Sequence, residues 1–294
     1  MAGVMIQTYT DKGSKSSVEE AFREGQALVV PWSSPTRERI GAAMAEVAGY
    51  LARFPPTSSF GGINKLDADR QTLWVAATGL GKPLHTQRDD LGRFDGDLEG
   101  GERGIEVLTR EASVREALED LRRVLDDALE IAIEAIGLDK DLPAEVAETL
   151  TVRYRAIRYA PVERDVAGIG LHPDGNVLSA LLTDQEGLVI QAQGGVYRPA
   201  ADGTIVMPGS ILYRWSNGYF KPTFHSVEIR RGDPTKFTIV AFLNFPDHTL
   251  IPRSALRHQS GFFSNEVQRH KEDDMNRAGD LAPLWSALDA RDGG

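Results

Sequence analysis

From Thr151 to about residue 245 the chain breaks into short apolar stretches separated by glycine, proline, asparagine and aspartate, and this rhythm constrains the fold more than any other feature. Eight strands are predicted, at about 151–160, 177–182, 188–193, 196–198, 204–207, 211–215, 224–229 and 236–245. Their spacing is that of a sandwich or barrel. Pro173-Asp174-Gly175-Asn176, Asn217-Gly218 and Gly232-Asp233-Pro234 carry turn chemistry, which joins antiparallel neighbours rather than strand–helix–strand units. The expected fold is mainly β with flanking helices, a jelly roll preceded by a helical N-terminal part.

Before residue 150 the apolar residues recur at helical spacing instead. One helix is predicted from an N-cap at Ser34, with Pro35 at the first helical position and Ile40, Met44, Val47 and Leu51 along one face. A second opens at Ser113, with Glu116 completing a capping box, and carries Leu118, Leu121, Leu125, Leu129 and Ile133 towards Gly137. That stripe is suited to lie against a sheet. Residues 57–110 are too long and polar for a plain connector and read as a solvated or covering loop. The tail carries a polar helix around Asn265–Arg277 and then Leu281–Leu288 with Trp285. Three regions follow: a helix-rich part (1–150) supporting the barrel, a jelly-roll core (151–250) and a helical tail (251–294).

Composition narrows the chemistry. There is no cysteine, so thiolate metal sites, iron–sulfur clusters, disulfides and a cysteine nucleophile are all excluded. Any metal must be held by histidine, aspartate or glutamate. The net charge of −10 disfavours a polyanion, so nucleic acid is not expected as a partner. No apolar run approaches the roughly 18 residues of a membrane span, and the opening residues lack the basic-then-apolar order of a signal peptide. The expectation is a cytoplasmic protein with no membrane partner.

Two of the six histidines have an acidic residue two positions later. His270 and Glu272 fall in a charged helical run, where i and i+2 point apart. His172 and Asp174 instead sit at the mouth of the strand beginning near Val177, where extended backbone sends i and i+2 to one side. His225 begins a later apolar strand. Two imidazoles and one carboxylate make the facial triad that holds iron(II) and leaves positions open. The same residues also read as a plain Pro-Asp-Gly-Asn turn and a core histidine, and spacing alone does not choose. Downstream, Lys236 and Thr238 share a strand face, and the Gly232-Asp233-Pro234 turn is expected to pair that strand with the His225 strand. A cation and a hydroxyl beside a metal suit a bound carboxylate, although a strand-edge lysine beside a β-favouring threonine is the plainer account. Arg158, next to Tyr159, is a candidate for an acidic substrate group or for a solvated strand face. Gly79-Leu-Gly81-Lys82 lacks the spacing and the following hydroxyl of a phosphate loop and reads as a turn.

A series of motifs in order carries a resemblance. They are Arg158-Tyr159-Ala160-Pro161, His172-Pro-Asp174, Asp184-Gln-Glu-Gly187-Leu188, Pro208-Gly209-Ser210, Ser216-Asn217-Gly218 followed by Lys221, His225-Ser-Val and Phe242-Leu-Asn-Phe-Pro246. Over roughly residues 115–247 the chain resembles the isopenicillin N synthase-like branch of the iron(II)- and 2-oxoglutarate-dependent oxygenases. The resemblance implies a distorted double-stranded β-helix, iron(II) held by His172, Asp174 and His225, and a carboxylate near the metal reached by Tyr159. Where the family has Arg-x-Ser, this chain has Lys236-Phe-Thr238, a point charge in place of a planar fork.

The resemblance further implies an oxygenase that takes 2-oxoglutarate as cosubstrate and molecular oxygen as oxidant and releases succinate and carbon dioxide. Its small-molecule substrate would be hydroxylated, desaturated or oxidatively cyclised, a chemistry typical of secondary metabolism. Lys236 and Thr238 would hold the far carboxylate of 2-oxoglutarate. An iron-dependent oxidase that binds a substrate carboxylate there, without 2-oxoglutarate, is the alternative. A non-catalytic jelly-roll binding module is a third reading. The chain is expected to be a monomer or a weak homo-oligomer.

Overall fold

The computed structural model describes residues 15–52, 63–67, 70–79, 110–135, 150–192, 195–216, 218–244, 250–252 and 262–264. The elements are α1 (Lys15–Arg23), β1 (Leu28–Pro31), α2 (Ser34–Leu51), β2 (Ile63–Asp67), β3 (Arg70–Gly79) and α3 (Ala112–Ala135). There follow β4 (Thr151–Tyr159), β5 (Val166–His172), β6 (Leu178–Thr183), β7 (Leu188–Ala192), β8 (Gly195–Tyr197) and β9 (Gly203–Pro208). The last are α4 (Ser210–Trp215), β10 (Phe224–Ile229), β11 (Lys236–Asn244), β12 (Leu250–Pro252) and β13 (Phe262–Ser264).

Seven strands form one sheet in the order β1-β9-β6-β11-β4-β3-β2, and four form a second in the order β5-β10-β7-β8. Every pairing in them is antiparallel. From β4 to β11 successive strands alternate between the two sheets, except that β7 and β8 form a hairpin within the small one, which is the jelly-roll arrangement expected from the turn chemistry. The small β12–β13 pair stands apart from both sheets.

Strands β4, β6, β9 and β11 of the large sheet are packed on both faces. Val152, Tyr154 and Ala156 of β4, with Ala241 and Leu243 of β11, pack into one core with Ile40, Met44, Val47 and Leu51 of α2 and the leucine stripe of α3. Each fully buried leucine in that stripe contributes about 1.5–3 kcal/mol by leaving water. The alternate residues Ile157, Tyr159, Leu181, Met207 and Val240 turn the other way and meet Leu188, Ile190, Val227 and Ile229 of the small sheet. This second layer encloses the site. Among the described residues no helix is long and apolar enough to cross a membrane.

Several expectations are corrected. Helix α2 is capped by Ser33, not Ser34: its Oγ accepts the N–H of Thr36 at 3.3 Å, and proline occupies the first turn. Helix α3 begins at Ala112, so Ser113 is inside it rather than its cap, and Gly137 lies outside the described residues. Residues 211–215 are helical within α4; every residue of Ser210–Trp215 is buried, so the run carries no inside–outside period to read. Strand β5 was not predicted, since Gly168 and Gly170 interrupt its apolar pattern. Within the expected 57–110 loop, 63–67 and 70–79 are strands that extend the large sheet beyond β4. The tail helices around Asn265–Arg277 and Leu281–Leu288 lie outside the described residues.

The pairing expected between the Lys236 and His225 strands is also corrected. β11 pairs with β4 and β6, whereas β10 pairs with β5 and β7. The Gly232-Asp233-Pro234 segment therefore crosses from one sheet to the other, and Lys236 faces the His225 strand across the sandwich instead of lying beside it. Gly232, at φ 89°, supplies the left-handed residue that this crossing uses.

Candidate metal centre

His172, Asp174 and His225 converge at one end of the space between the sheets. One donor atom from each lies within 4.8 Å of the others. His172 closes β5 and His225 is the second residue of β10, and the two are register partners with ring centroids 4.4 Å apart. Asp174 sits just past β5, and its Oδ1 is 3.8 Å from His172 Nε2 and 3.9 Å from His225 Nε2.

Local hydrogen bonds decide which atoms point inward. His172 Nδ1 lies 2.7 Å from the carbonyl of Gly170, and His225 Nδ1 lies 3.1 Å from that of Thr223. A carbonyl can only accept, so each Nδ1 carries the proton and donates, leaving the lone pair of each Nε2 towards Asp174. On the carboxylate the two oxygens are divided. Oδ2 accepts from Ser179 Oγ, which itself accepts from Asn176 Nδ2 at 2.8 Å, while Oδ1 faces the imidazoles. Fixed tautomers and an oriented carboxylate are what a metal needs from its surroundings. The donor set of two neutral imidazoles and one carboxylate fits a divalent iron.

The loop bearing Asp174 is pinned from outside. Ser210 donates both its N–H and its Oγ–H to the carbonyl of Asp174, each at 2.9 Å. Gly209 packs so closely that an added Cβ would stand 2.2 Å from the carbonyl oxygen of Asn176. The Pro208-Gly209-Ser210 motif thus serves to hold the loop that carries Asp174, a role its sequence did not announce.

From the triad a cavity runs between the sheets, lined also by Tyr159, Lys236, Thr238, Thr183 and Arg155. Lys236 and Tyr159 are cross-strand partners on β11 and β4, only 2% and 1% exposed, and Thr238 follows on the same face. The Lys236 ammonium donates to the Glu228 carbonyl at 3.1 Å. Burial lowers its pKa below the ordinary lysine value, opposed by the nearby carboxylates of Asp233 and Asp184. Gly187, at φ +136°, makes room for it: a Cβ there would lie 1.8 Å from Lys236 Nζ. The Asp184-Gln-Glu-Gly187 motif thereby forms the cradle of this cation.

Of the sequence candidates, the structure brings together His172, Asp174, His225, Tyr159, Lys236 and Thr238 around one cavity. It leaves Arg158 out. That side chain lies on the opposite face of β4 and donates Nη1–H to the carbonyl of Leu51 near the end of α2 at 2.6 Å. Arg158 is 7% exposed, and burial lowers its pKa. The residue that does face the cavity is Arg155, which sequence reasoning missed. Counting by two back from Tyr159 would have found it.

Residues 147–245 match the model of the 2OG-Fe(II) oxygenase superfamily. No match was found among curated proteins. Among solved structures, the chain is similar to a full-length Neurospora crassa protein in complex with alpha-KG and 5-formyluracil, at TM-score 0.59 and 16% identity, over 86% of this chain and 87% of that one. It is similar to the dioxygenase for auxin oxidation in rice, at TM-score 0.60 and 16% identity, over 94% and 98%. The Arabidopsis thaliana dioxygenase for auxin oxidation 1, bound to 2-oxoglutarate, matches at TM-score 0.58 and 16% identity over 83% and 94%. Likeness at such identities establishes the fold, a double-stranded β-helix.

Proposed function

With residues 147–245 a 2OG-Fe(II) oxygenase domain, we propose that His172 Nε2, Asp174 Oδ1 and His225 Nε2 hold iron(II) and that the chain oxidises a small-molecule substrate. The carrying observation is the conjunction of a tautomer-fixed His-Asp-His cluster with a buried cation in the same cavity. When bound, iron(II) supplies the oxidising step in which oxygen and 2-oxoglutarate are consumed, the substrate is oxidised, and succinate and carbon dioxide leave.

The chain's own residues do the rest. Lys236 holds the far carboxylate of 2-oxoglutarate, with the Thr238 hydroxyl and Tyr159 beside it. A buried ammonium whose described partner is a backbone carbonyl gains most from an anion, and this supports the assignment. Ile157, Leu188 and Val227 keep the surrounding wall apolar, so water is displaced once the ligands are in place. The 5-formyluracil bound by the Neurospora crassa protein supports a small molecule as the substrate class. The reading extends to the isopenicillin N synthase-like branch, supported by the order of the motifs along 158–246, with residues 151–250 as catalytic core and the N-terminal and C-terminal regions supporting it. It also extends to a role in secondary metabolism in the cytoplasm as a monomer or weak homo-oligomer.

An anaerobic titration of metal-free protein with iron(II) and then 2-oxoglutarate tests the proposal. A visible charge-transfer band is expected in the wild type and its loss at the same concentrations in Lys236→Ala. Iron binding without a band favours the oxidase in which Lys236 and Thr238 take a substrate carboxylate. No iron binding overturns the catalytic reading.

A further inference from the structure

Resting on the functional reading above, we infer that Thr223 is a positioning residue for the metal centre. Its side-chain bond to the turn after α1 holds the backbone carbonyl that orients the His225 ring, so iron(II) affinity depends on a contact with a residue 197 positions earlier in the chain.

The local sequence Lys221-Pro222-Thr223 explains the need for such a contact. Proline has no N–H to give and keeps the residue before it extended, so the chain enters β10 without a hydrogen bond donated by Pro222. Thr223 lies just ahead of that strand, which starts at Phe224, and is fully buried. Its three polar groups each meet a different piece of the fold. The N–H donates to the carbonyl of Pro208 at 2.9 Å, Oγ–H donates to the carbonyl of Gln26 at 3.2 Å, and the Thr223 carbonyl accepts Nδ1–H of His225 at 3.1 Å. Pro208 adjoins Gly209 and Ser210, which hold the Asp174 loop. One residue thus ties two of the three proposed ligands to a common support.

The Gln26 end of this link is fixed by how α1 stops. Gly25, at φ 67°, takes the left-handed conformation, and the N–H groups of Gln26 and Gly25 return to the carbonyls of Ala21 at 2.9 Å and Phe22 at 3.3 Å. The Phe22 carbonyl also accepts the N–H of Lys221 at 2.8 Å, the Phe22 and Phe220 rings meet edge to face at 5.9 Å, and the Tyr219 hydroxyl donates to Glu19. Helix α1 therefore docks along residues 219–223 and its turn ends on the residue that orients His225. The two histidines differ in this respect. The acceptor for His172 is the Gly170 carbonyl within β5, so the strand itself sets that ring, whereas the acceptor for His225 lies outside β10. An outer partner that must itself be held passes its constraint on to the metal.

The test sets Thr223→Val and Thr223→Ala, which lose the hydroxyl, against Thr223→Ser, which keeps it; two deletions guard against one of them failing to fold. The reference is Thr204→Val, the same change at a residue whose Oγ accepts Trp32 Nε1–H at 3.0 Å, a bond of similar sequence span that leads to none of the three ligands. In an anaerobic competitive titration with iron(II), the affinity should fall about three- to tenfold in the two deletions, less than the 10–100-fold typical of losing a partner bonded to the ligand itself. It should stay at the wild-type value in Thr223→Ser and Thr204→Val, although the latter melts earlier. The metal-free protein gives a readout that a loss of stability does not move. A two-bond nitrogen–proton spectrum at about pH 8, where an ordinary imidazole is neutral, should show His225 protonated at Nδ1 alone in the wild type and at a mixture of both nitrogens in the deletions. The inference is overturned if the deletions bind iron(II) like the wild type, if Thr223→Ser loses as much as they do, if Thr204→Val weakens binding equally, or if the His225 tautomer does not change. A wild type that binds no iron(II) defeats the functional reading, and the tautomer spectrum then still decides whether Thr223 holds the His225 ring.

Discussion

His172 and His225 stand directly opposite each other on β5 and β10, and each donates its Nδ1–H to the carbonyl two residues before it on its own chain segment. The same local device is used twice, so both rings present Nε2 to the same point. A ring held this way is a ligand in waiting, since its donor nitrogen is satisfied by backbone and its acceptor nitrogen is aimed at a carboxylate.

Replacing His225 by alanine should therefore abolish iron binding and turnover while leaving the far-ultraviolet circular dichroism of the wild type. The ring belongs to the cavity wall, and the β10 ladder is made by backbone groups. Succinate formation at wild-type rates in this variant would remove His225 from the ligand set.

Ser179→Ala takes away the hydroxyl that fixes Oδ2 of Asp174. Loss of such an outer partner commonly costs about 10–100-fold in metal affinity. A fall of that size is expected in a competitive iron(II) titration, and unchanged affinity would show that Gly209 and Ser210 alone orient the loop.

Gly187→Ala should separate the two halves of the site. Its Cβ would meet both Lys236 Nζ and the Glu228 carbonyl, the latter at 2.6 Å, in a backbone conformation that side chains rarely adopt. The ammonium is the part that can yield. Iron should bind as before, whereas the half-saturating 2-oxoglutarate concentration should rise by about tenfold or more, as expected for a misplaced charge-assisted contact.

The pH dependence of cosubstrate binding follows from Lys236. Burial lowers its pKa from the ordinary 10.5, so the ammonium loses its proton at a lower pH than an exposed lysine would. Binding a dianion needs the charged form. The affinity for 2-oxoglutarate should hold on the acidic side of that lowered value and fall as pH rises through it, with proton uptake on binding in that range. Isothermal titration in buffers of different ionisation enthalpy measures the uptake, and a pH-independent affinity up to the ordinary lysine range would contradict the assignment.

Arg158→Ala is expected to act on stability and not on the site. It leaves the Leu51 carbonyl near the end of α2 without its guanidinium donor. The cost should be roughly 1–2 kcal/mol in a urea melt. Altered iron(II) or 2-oxoglutarate binding in this variant would show instead that Arg158 acts on the site.

What the sequence determined by itself was local: turn residues that favour antiparallel strands, helix stripes at a period near 3.6, and a His-x-Asp followed by a distant histidine as candidate ligands. Those features depend on near neighbours, and among the described residues they fail at Ser210–Trp215, a fully buried run with no period to read, and at Gly232-Asp233-Pro234, which crosses between the sheets instead of pairing adjacent strands. Which face of a strand meets the cavity was a different matter. The centre of the large sheet, β4, β6, β9 and β11, is covered by helices on one side and by the small sheet on the other, so β6 is buried at every position and the alternation that usually separates inside from outside is lost. Only tertiary structure decided that Arg155 faces the cavity and Arg158 the helices, and that Lys236 confronts the His225 strand across the sandwich. Those facts depend on which distant strands pair, and pairing is settled by burial on both faces at once.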